Sequence, residues 1–461
     1  MNNEIFHWGV ACSAAQTEGA ANTDGKGPSI WDTFSKKRYK ISGAHTPETS
    51  CSFYHRFKED IAHVNNLSIP NFRFSISWPR ILPEGKGHIN HKGLDFYDRL
   101  IDECLENNIT PWITLYHWDL PQKLEDSGGW NNRDIIGWYS DYSTIVLKAF
   151  SDRVKNWMAL NEPLVYTGAG YFLGVHAPGK KGMDNFLSAA HHTALAQATG
   201  IRIIRSECKE AYAGTTFSCS WISPYSQEQK DLAAANRVDA LLNRFYLEPL
   251  LGKGYPIHEL PFLQKIENYF KPQDEKDLIE IPDFIGIQNY TREVVRHSWY
   301  TPYIKAKLIG VKSRKVPSTM MNWEVYPESI YNLLHKFNQY SEIKDILVTE
   351  NGAAYPDQVT DNSVLDTERT SYLKLNIQQV LRAKNQGVRV KGYFAWSLTD
   401  NFEWAEGYYP RFGLIYIDYN NQRRIIKESA KWYSQFINRY SEEFNSKNKT
   451  ILNDDHPMSM I

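Results

Sequence analysis

The chain has 461 residues, room for a large core or for about two to three domains on length alone. Its 52 basic and 53 acidic residues leave a net charge of −1, which excludes a surface charged for nucleic acid or for an anionic membrane. No apolar run reaches the roughly 18 residues of a membrane span, so no membrane partner is expected; a small-molecule partner is expected from the acidic and aromatic residues that follow.

The five cysteines, at 12, 51, 104, 208 and 219, are odd in number and show no CxxC or metal-ligand spacing. They read as reduced thiols, and the first residues lack a basic, then apolar leader; a cytoplasmic protein is expected. The 14 Trp and 28 Tyr supply flat apolar faces with polar edges, a shape suited to sugar rings as well as to core packing.

Short apolar runs at 7–11, 70–75, 111–116, 154–160, 211–217, 283–288, 345–349 and 391–396 read as strands. Helical patterns alternate with them: Phe57, Ile61, Val64 and Leu67 keep helical spacing, as do Leu94, Tyr97, Leu100, Ile101, Cys104 and Leu105. Asp184 is expected to cap a long helix ending near 206, and Asp366 to open one that ends before Gly387. Strand followed by helix, repeated through the chain, gives an α/β fold, a single (β/α)8 TIM barrel. The segments after the strands are long and those before them short, as expected when the working face is the C-terminal rim. One domain is expected over 1–445, with a polar tail over 446–461.

Two strand ends carry an acid. The run Ile346-Leu347-Val348-Thr349 delivers Glu350 ahead of Asn351-Gly352, and WMALNEP at 157–163 delivers Glu162. Either acid alone reads as a helix cap or a surface ion-pair partner, and either tripeptide as ordinary turn chemistry. Together at one rim, they suit acetal cleavage, which needs a proton for the departing oxygen and negative charge beneath a developing oxocarbenium ion. Arg73, ending the second strand, is the cation to keep Glu350 ionised, and Tyr290 a donor to the same carboxylate. Glu162 is then expected to hold its proton through partial burial and the charge of Glu350. Gln16, His117, Trp118 and Asn161 stand at strand ends with groups able to bond sugar hydroxyls. Trp396, Glu403 and Trp404 follow in the last long loop, and Trp323 is a candidate wall for whatever the sugar is attached to.

The motifs FHWGVACSAAQTEG, NFRFSISWPRILP, LYHWDLP, LNEP, VTENG and WSLTDNFEWAEGY, in this order, resemble those of glycoside hydrolase family 1 over nearly the whole chain. The resemblance implies a retaining β-glycosidase, a β-glucosidase first, acting by double displacement without metal or cofactor. It makes Glu162 the acid/base and Glu350 the nucleophile, with Arg73 and Tyr290 tending the latter. Gln16, His117, Trp118, Asn161, Glu403 and Trp404 would hold the sugar, Trp396 would be its platform, and Trp323 would face the aglycone. Gln288 departs from the pattern, standing where many members carry Asn, with a reach one methylene longer. Retention further implies carboxyl groups about 5–5.5 Å apart. β-Galactosidase or β-fucosidase specificity is the nearest alternative. A 6-phospho-β-glucosidase is disfavoured by the charge of Glu403, and a non-catalytic sugar-binding protein by the presence of both acids.

Overall fold

The computed structural model describes residues 6–454. Eight parallel strands close into a barrel in which each pairs with the next and the last with the first. They are β1 His7–Ala11, β2 Asn71–Ser75, β3 Thr110–Tyr116, β4 Asn156–Asn161, β5 Tyr212–Ser218, β6 Phe284–Gln288, β7 Asp345–Asn351 and β8 Val390–Trp396. Each lies within two residues of the expected bounds at either end. The fold is a (β/α)8 barrel.

Strand alternation builds two cores. Trp112, Met158, Phe284, Leu347 and Phe394 come from five different strands and pack on one another inside the barrel. Trp112 meets Phe394 and Phe284 edge-on, with ring centroids 5.3 and 5.9 Å apart. Their neighbours Ile113, Trp157, Ile285, Ile346 and Tyr393 belong to the outer core against the helices. The lumen is therefore a packed floor, and ligands meet the barrel only above it.

The helix Phe53–Asn66 buries Phe57, Ile61 and Val64, and His91–Glu106 buries Tyr97, Leu100, Ile101 and Cys104; of the expected second stripe Leu94 is half-buried and Leu105, in the last turn, is exposed. Asp184 does not cap the long helix. That helix spans Met183–Glu207, Gly182 is its N-cap at φ 99°, and Asp184 sits in the first turn. Glycine takes this left-handed entry without the steric cost a side chain would bear. Asp366 does precede the helix Thr367–Asn385, but its carboxylate goes to Arg369 and Ser429 instead of the helix amides.

The last helix runs Glu428–Asp454, so the polar stretch from 446 begins inside it, and 455–461 lie outside the described residues. Just before it, the hairpin Ile415–Asp418 and Arg423–Ile426 is tied to the first large helix by Arg424. Its Nε and Nη2 donate to Asp60 Oδ1 and Oδ2 at 2.9 Å each, both side chains being buried. Arg424→Leu leaves that carboxylate buried without its cation, and denaturant unfolding is expected to show a loss of about 3–5 kcal/mol. No helix among the described residues is long and apolar enough to cross a membrane.

Candidate active site

A cavity of about 450 Å³ opens at the C-terminal rim. Gln16, His117, Trp118, Glu162, Tyr290, Trp323, Glu350, Trp396, Glu403 and Trp404 line it. Arg73 and Asn161, fully buried, stand behind its wall. Residues that span most of the sequence are thus brought to one place by successive strand ends.

Regular alternation would not aim the two strand-borne carboxyl-side residues correctly. On β7, Leu347 faces the lumen while Ile346 and Val348 face the helices, so unbroken pleating would turn Glu350 outward with them. The pairing register slips between Val348 and Glu350 against β6, and between Val348 and Asn351 against β8. A like slip falls between Met158 and Asn161 on β4. Such irregularities re-aim side chains, and here they turn Glu350 and Asn161 inward. Glu162, next in line, leaves the strand at φ 44°, a left-handed conformation held by its N–H bond to Thr216 O at 3.0 Å and by the helix Pro163–Thr167 that follows. After Asn351, only glycine fits: a Cβ on Gly352 would lie 2.1 Å from the Trp396 carbonyl oxygen.

Glu350 is gripped on both oxygens. Arg73 Nη1 donates to Oε1 at 2.5 Å and Gln288 Nε2 to the same atom at 2.7 Å, while the Tyr290 hydroxyl donates to Oε2 at 2.7 Å. Burial raises its pKa, and the Arg73 charge and the Arg73 and Tyr290 hydrogen bonds oppose that rise. Glu162 has no such set of donors. Burial first, then the charge of Glu350, pushes its carboxyl well above the usual range, with Ser218 and Arg73 pulling weakly back. Both carboxyls are thus raised, Glu162 the further, so Glu350 is the first of the pair to ionise.

Asn161 fixes the neighbouring tautomer. Its Oδ1 accepts from Arg73 Nη2 at 2.5 Å, Gln288 Nε2 at 2.7 Å and Thr216 at 2.9 Å, which leaves Nδ2 to donate to His117 Nε2 at 2.9 Å. His117 is held neutral by burial and by Arg73, so its proton resides on Nδ1. Trp118 lines the cavity with its ring only, because its N–H is committed to the Asn161 carbonyl at 2.8 Å. Its face packs on Trp404, centroids 4.5 Å apart.

Next to Trp404, Gln16 Nε2 lies 3.0 Å from Phe402 O, 3.1 Å from Asn401 Oδ1 and 3.4 Å from Glu403 Oε2. Burial, then the charges of Glu350 and Glu406, push the Glu403 carboxyl up to about 8. Trp396 and Trp404 flank this acid, and Trp323 packs on Tyr290 at 5.1 Å across the mouth.

Sequence reasoning left the fifth strand without a candidate, yet it supplies Thr216 to Asn161 and Ser218 to Glu162. His176 and Phe412 also line the cavity. The signal for Ser218 was its place at a strand end, the same criterion that found the others. Gln288 proves central: the longer side chain spans from Asn161 to Glu350, reaching both carbonyl-type oxygens at 2.7 Å. Among the described residues no group of three or more His, Cys, Asp or Glu is disposed to hold a metal ion.

The family model of glycosyl hydrolase family 1 matches residues 2–442. A 1,4-β-D-glucan glucohydrolase of Thermotoga neapolitana is 44% identical over 439 residues, 94% of this chain and 97% of that protein. β-Glucosidase A of Thermotoga maritima is 43% identical over 438 residues, again 94% and 97% of the two chains. The solved structure of a family 1 β-glucosidase from Thermotoga maritima superposes with a TM-score of 0.91 at 42% identity, covering 94% of this chain and 97% of that one. A structure of that organism's β-glucosidase in complex with deoxynojirimycin gives the same score and identity, with coverage of 94% and 98%. With its motifs, its barrel and its paired acids in register, the chain belongs to glycosyl hydrolase family 1.

Proposed function

We propose that this protein is a retaining β-glucosidase in which Glu350 is the nucleophile and Glu162 the acid/base. The observation that carries the reading is the unequal treatment of two acids in one cavity: Glu350 is held by three donors, and Glu162 is raised by burial and by the charge it faces. Glu350 attacks the anomeric carbon while Glu162 protonates the departing glycosidic oxygen, and the C–O bond breaks as an ester to Glu350 forms. That ester removes the charge that raised Glu162. Its pKa then falls, so it takes a proton from the incoming water, which cleaves the ester and regenerates both acids. The related β-glucosidases support glucose as the sugar.

Glu403, Gln16, His117 and Trp404 surround the sugar hydroxyls and Trp396 supports its ring in this reading, with Trp323 beside the aglycone. Trp118 and Asn161 act mainly by positioning, since their polar atoms are already bonded within the protein. No Lys or Arg among the described residues lines the cavity to pair with a phosphate on the sugar, and Glu406 adds a carboxyl beside Glu403. kcat/KM for an aryl 6-phospho-β-glucoside is accordingly expected at least about 100-fold below that for the plain glucoside. The five cysteines are unpaired and buried, which fits a cytoplasmic location. The family match ends at 442, which fits a catalytic unit over 1–445 with the polar stretch beyond it.

Proton NMR of the first sugar released tests the stereochemistry. The β-anomer is expected before mutarotation; initial α-glucose would require inversion and overturn the reading. Gln288→Leu removes a donor to the charged nucleophile, worth about 1.5–3 kcal/mol, so kcat/KM is expected to fall about 10- to 100-fold. Losing that donor raises the pKa of Glu350, so the acidic limb of the pH profile should move to higher pH.

A further inference from the structure

We propose that the aglycone released by this enzyme is aliphatic, and that it seats in a second chamber opening off the catalytic cavity between Val165 and Leu242. This chamber, about 490 Å³, shares Val165, Ser218, Ser220 and Leu242 with the cavity that holds the two acids. Glu162 leads directly into it. The residues that follow the acid in sequence, Leu164, Val165, Gly168, Ala169 and Phe172, form one wall of the chamber. A leaving oxygen protonated by Glu162 therefore has its substituent close to that wall.

The lining excludes most other occupants. No Asp, Glu, Lys, Arg or His borders the chamber among the described residues. Leu241, Ile304 and Met183 face it, with Phe172 packed on Phe186 at 5.8 Å and Phe262 on Tyr303 at 5.6 Å. Its polar side chains are the hydroxyls of Ser218, Ser220, Thr301 and Tyr303; further sugar units would bring more hydroxyls than these pair, and a buried hydroxyl without a partner is costly. Methylenes incur no such loss, and each one buried is worth about fourfold in affinity. The outer end is open: Leu173 is 55% and Tyr303 49% exposed, so a chain longer than the chamber can run into solvent.

The proposal rests on the glucosidase reading for the identity of the sugar, and its test is a binding measurement separable from turnover. Calorimetry would compare methyl and octyl 1-thio-β-glucosides, the latter below its micelle concentration, with cellobiose and cellotriose as polar controls, both in S-linked form so that the glucosidase does not cleave them. Octyl should bind at least about tenfold tighter than methyl, the yield of only two seated methylenes, while cellotriose gains nothing over cellobiose. A Cβ on Gly168 meets no atom within 4 Å, so Gly168→Trp places an indole in the chamber and should abolish the octyl gain. Phe172→Asp, at a half-buried position, should do the same by placing a carboxylate on the wall. Equal affinity for methyl and octyl, or an octyl gain that survives both substitutions, would overturn the proposal. An octyl gain without turnover of any aryl glucoside would instead uphold the chamber and refute the catalytic assignment.

Discussion

Glu350→Gly is expected to lower kcat on aryl β-glucosides by about 10⁴-fold or more, the scale on which removing a nucleophile acts. The fold should survive. Glu350 is buried at the top of the barrel, and its loss removes the acceptor of three bonds without touching the packed floor formed by Trp112, Met158 and Phe284. The space left is the size of a small anion and remains faced by Arg73, Gln288 and Tyr290. Added azide should therefore enter, attack the anomeric carbon from the nucleophile's side and give the α-glucosyl azide. Chromatography of the product and the azide dependence of the rate are the readouts; unchanged turnover would remove Glu350 from the mechanism.

Glu162→Ala should split the two steps. Proton donation matters most when the leaving group is poor, so kcat/KM for alkyl glucosides should fall about 10²- to 10⁴-fold. A dinitrophenyl glucoside leaves without help and should form the glycosyl-enzyme at nearly the normal rate. Hydrolysis of that ester still lacks its base, so the intermediate should accumulate, with a burst of phenol and a much lowered KM. Azide should speed turnover here too, but yield the β-glucosyl azide, because it attacks the covalent intermediate from the acid/base side. A uniform loss across leaving groups would reduce Glu162 to a structural part.

The pH profile follows from the same pair. Glu162 must be protonated, so activity is lost as pH rises through its pKa; Glu350 must be ionised, so activity is lost as pH falls through its own. The two carboxyls interact, and the limbs of the bell belong to the pair. Neutralising Glu350 as Gln removes the second-largest cause of the Glu162 shift, and the Glu162 titration should then move to lower pH.

Strand positions were legible because β-branched and aromatic runs between polar turns have few other readings, and all eight strands fall where those runs lie. The site was legible for a related reason: a parallel barrel sends every strand end to one rim, so residues remote in sequence share a location once the strands are placed. Direction was not legible. Alternation along Ile346-Leu347-Val348 would turn Glu350 toward the helices, and only the register slips on β7, set by tertiary packing, bring it into the cavity. Nor could the sequence show that Trp118 has its N–H already bonded, or that one extra methylene lets Gln288 reach both Asn161 and Glu350. Asp184 misled because acids suit either an N-cap or a first turn, and the preceding glycine took the cap.

Mass spectrometry of the enzyme incubated with an activated 2-deoxy-2-fluoro-β-glucoside tests the account most directly. The fluorine destabilises both oxocarbenium-like transition states, and the reactive leaving group restores only the first step, so the covalent intermediate persists. The account predicts one added fluoroglucosyl group per chain, mapped by peptide digestion to Glu350. A label on Glu162, or inactivation with no covalent sugar at all, would contradict it.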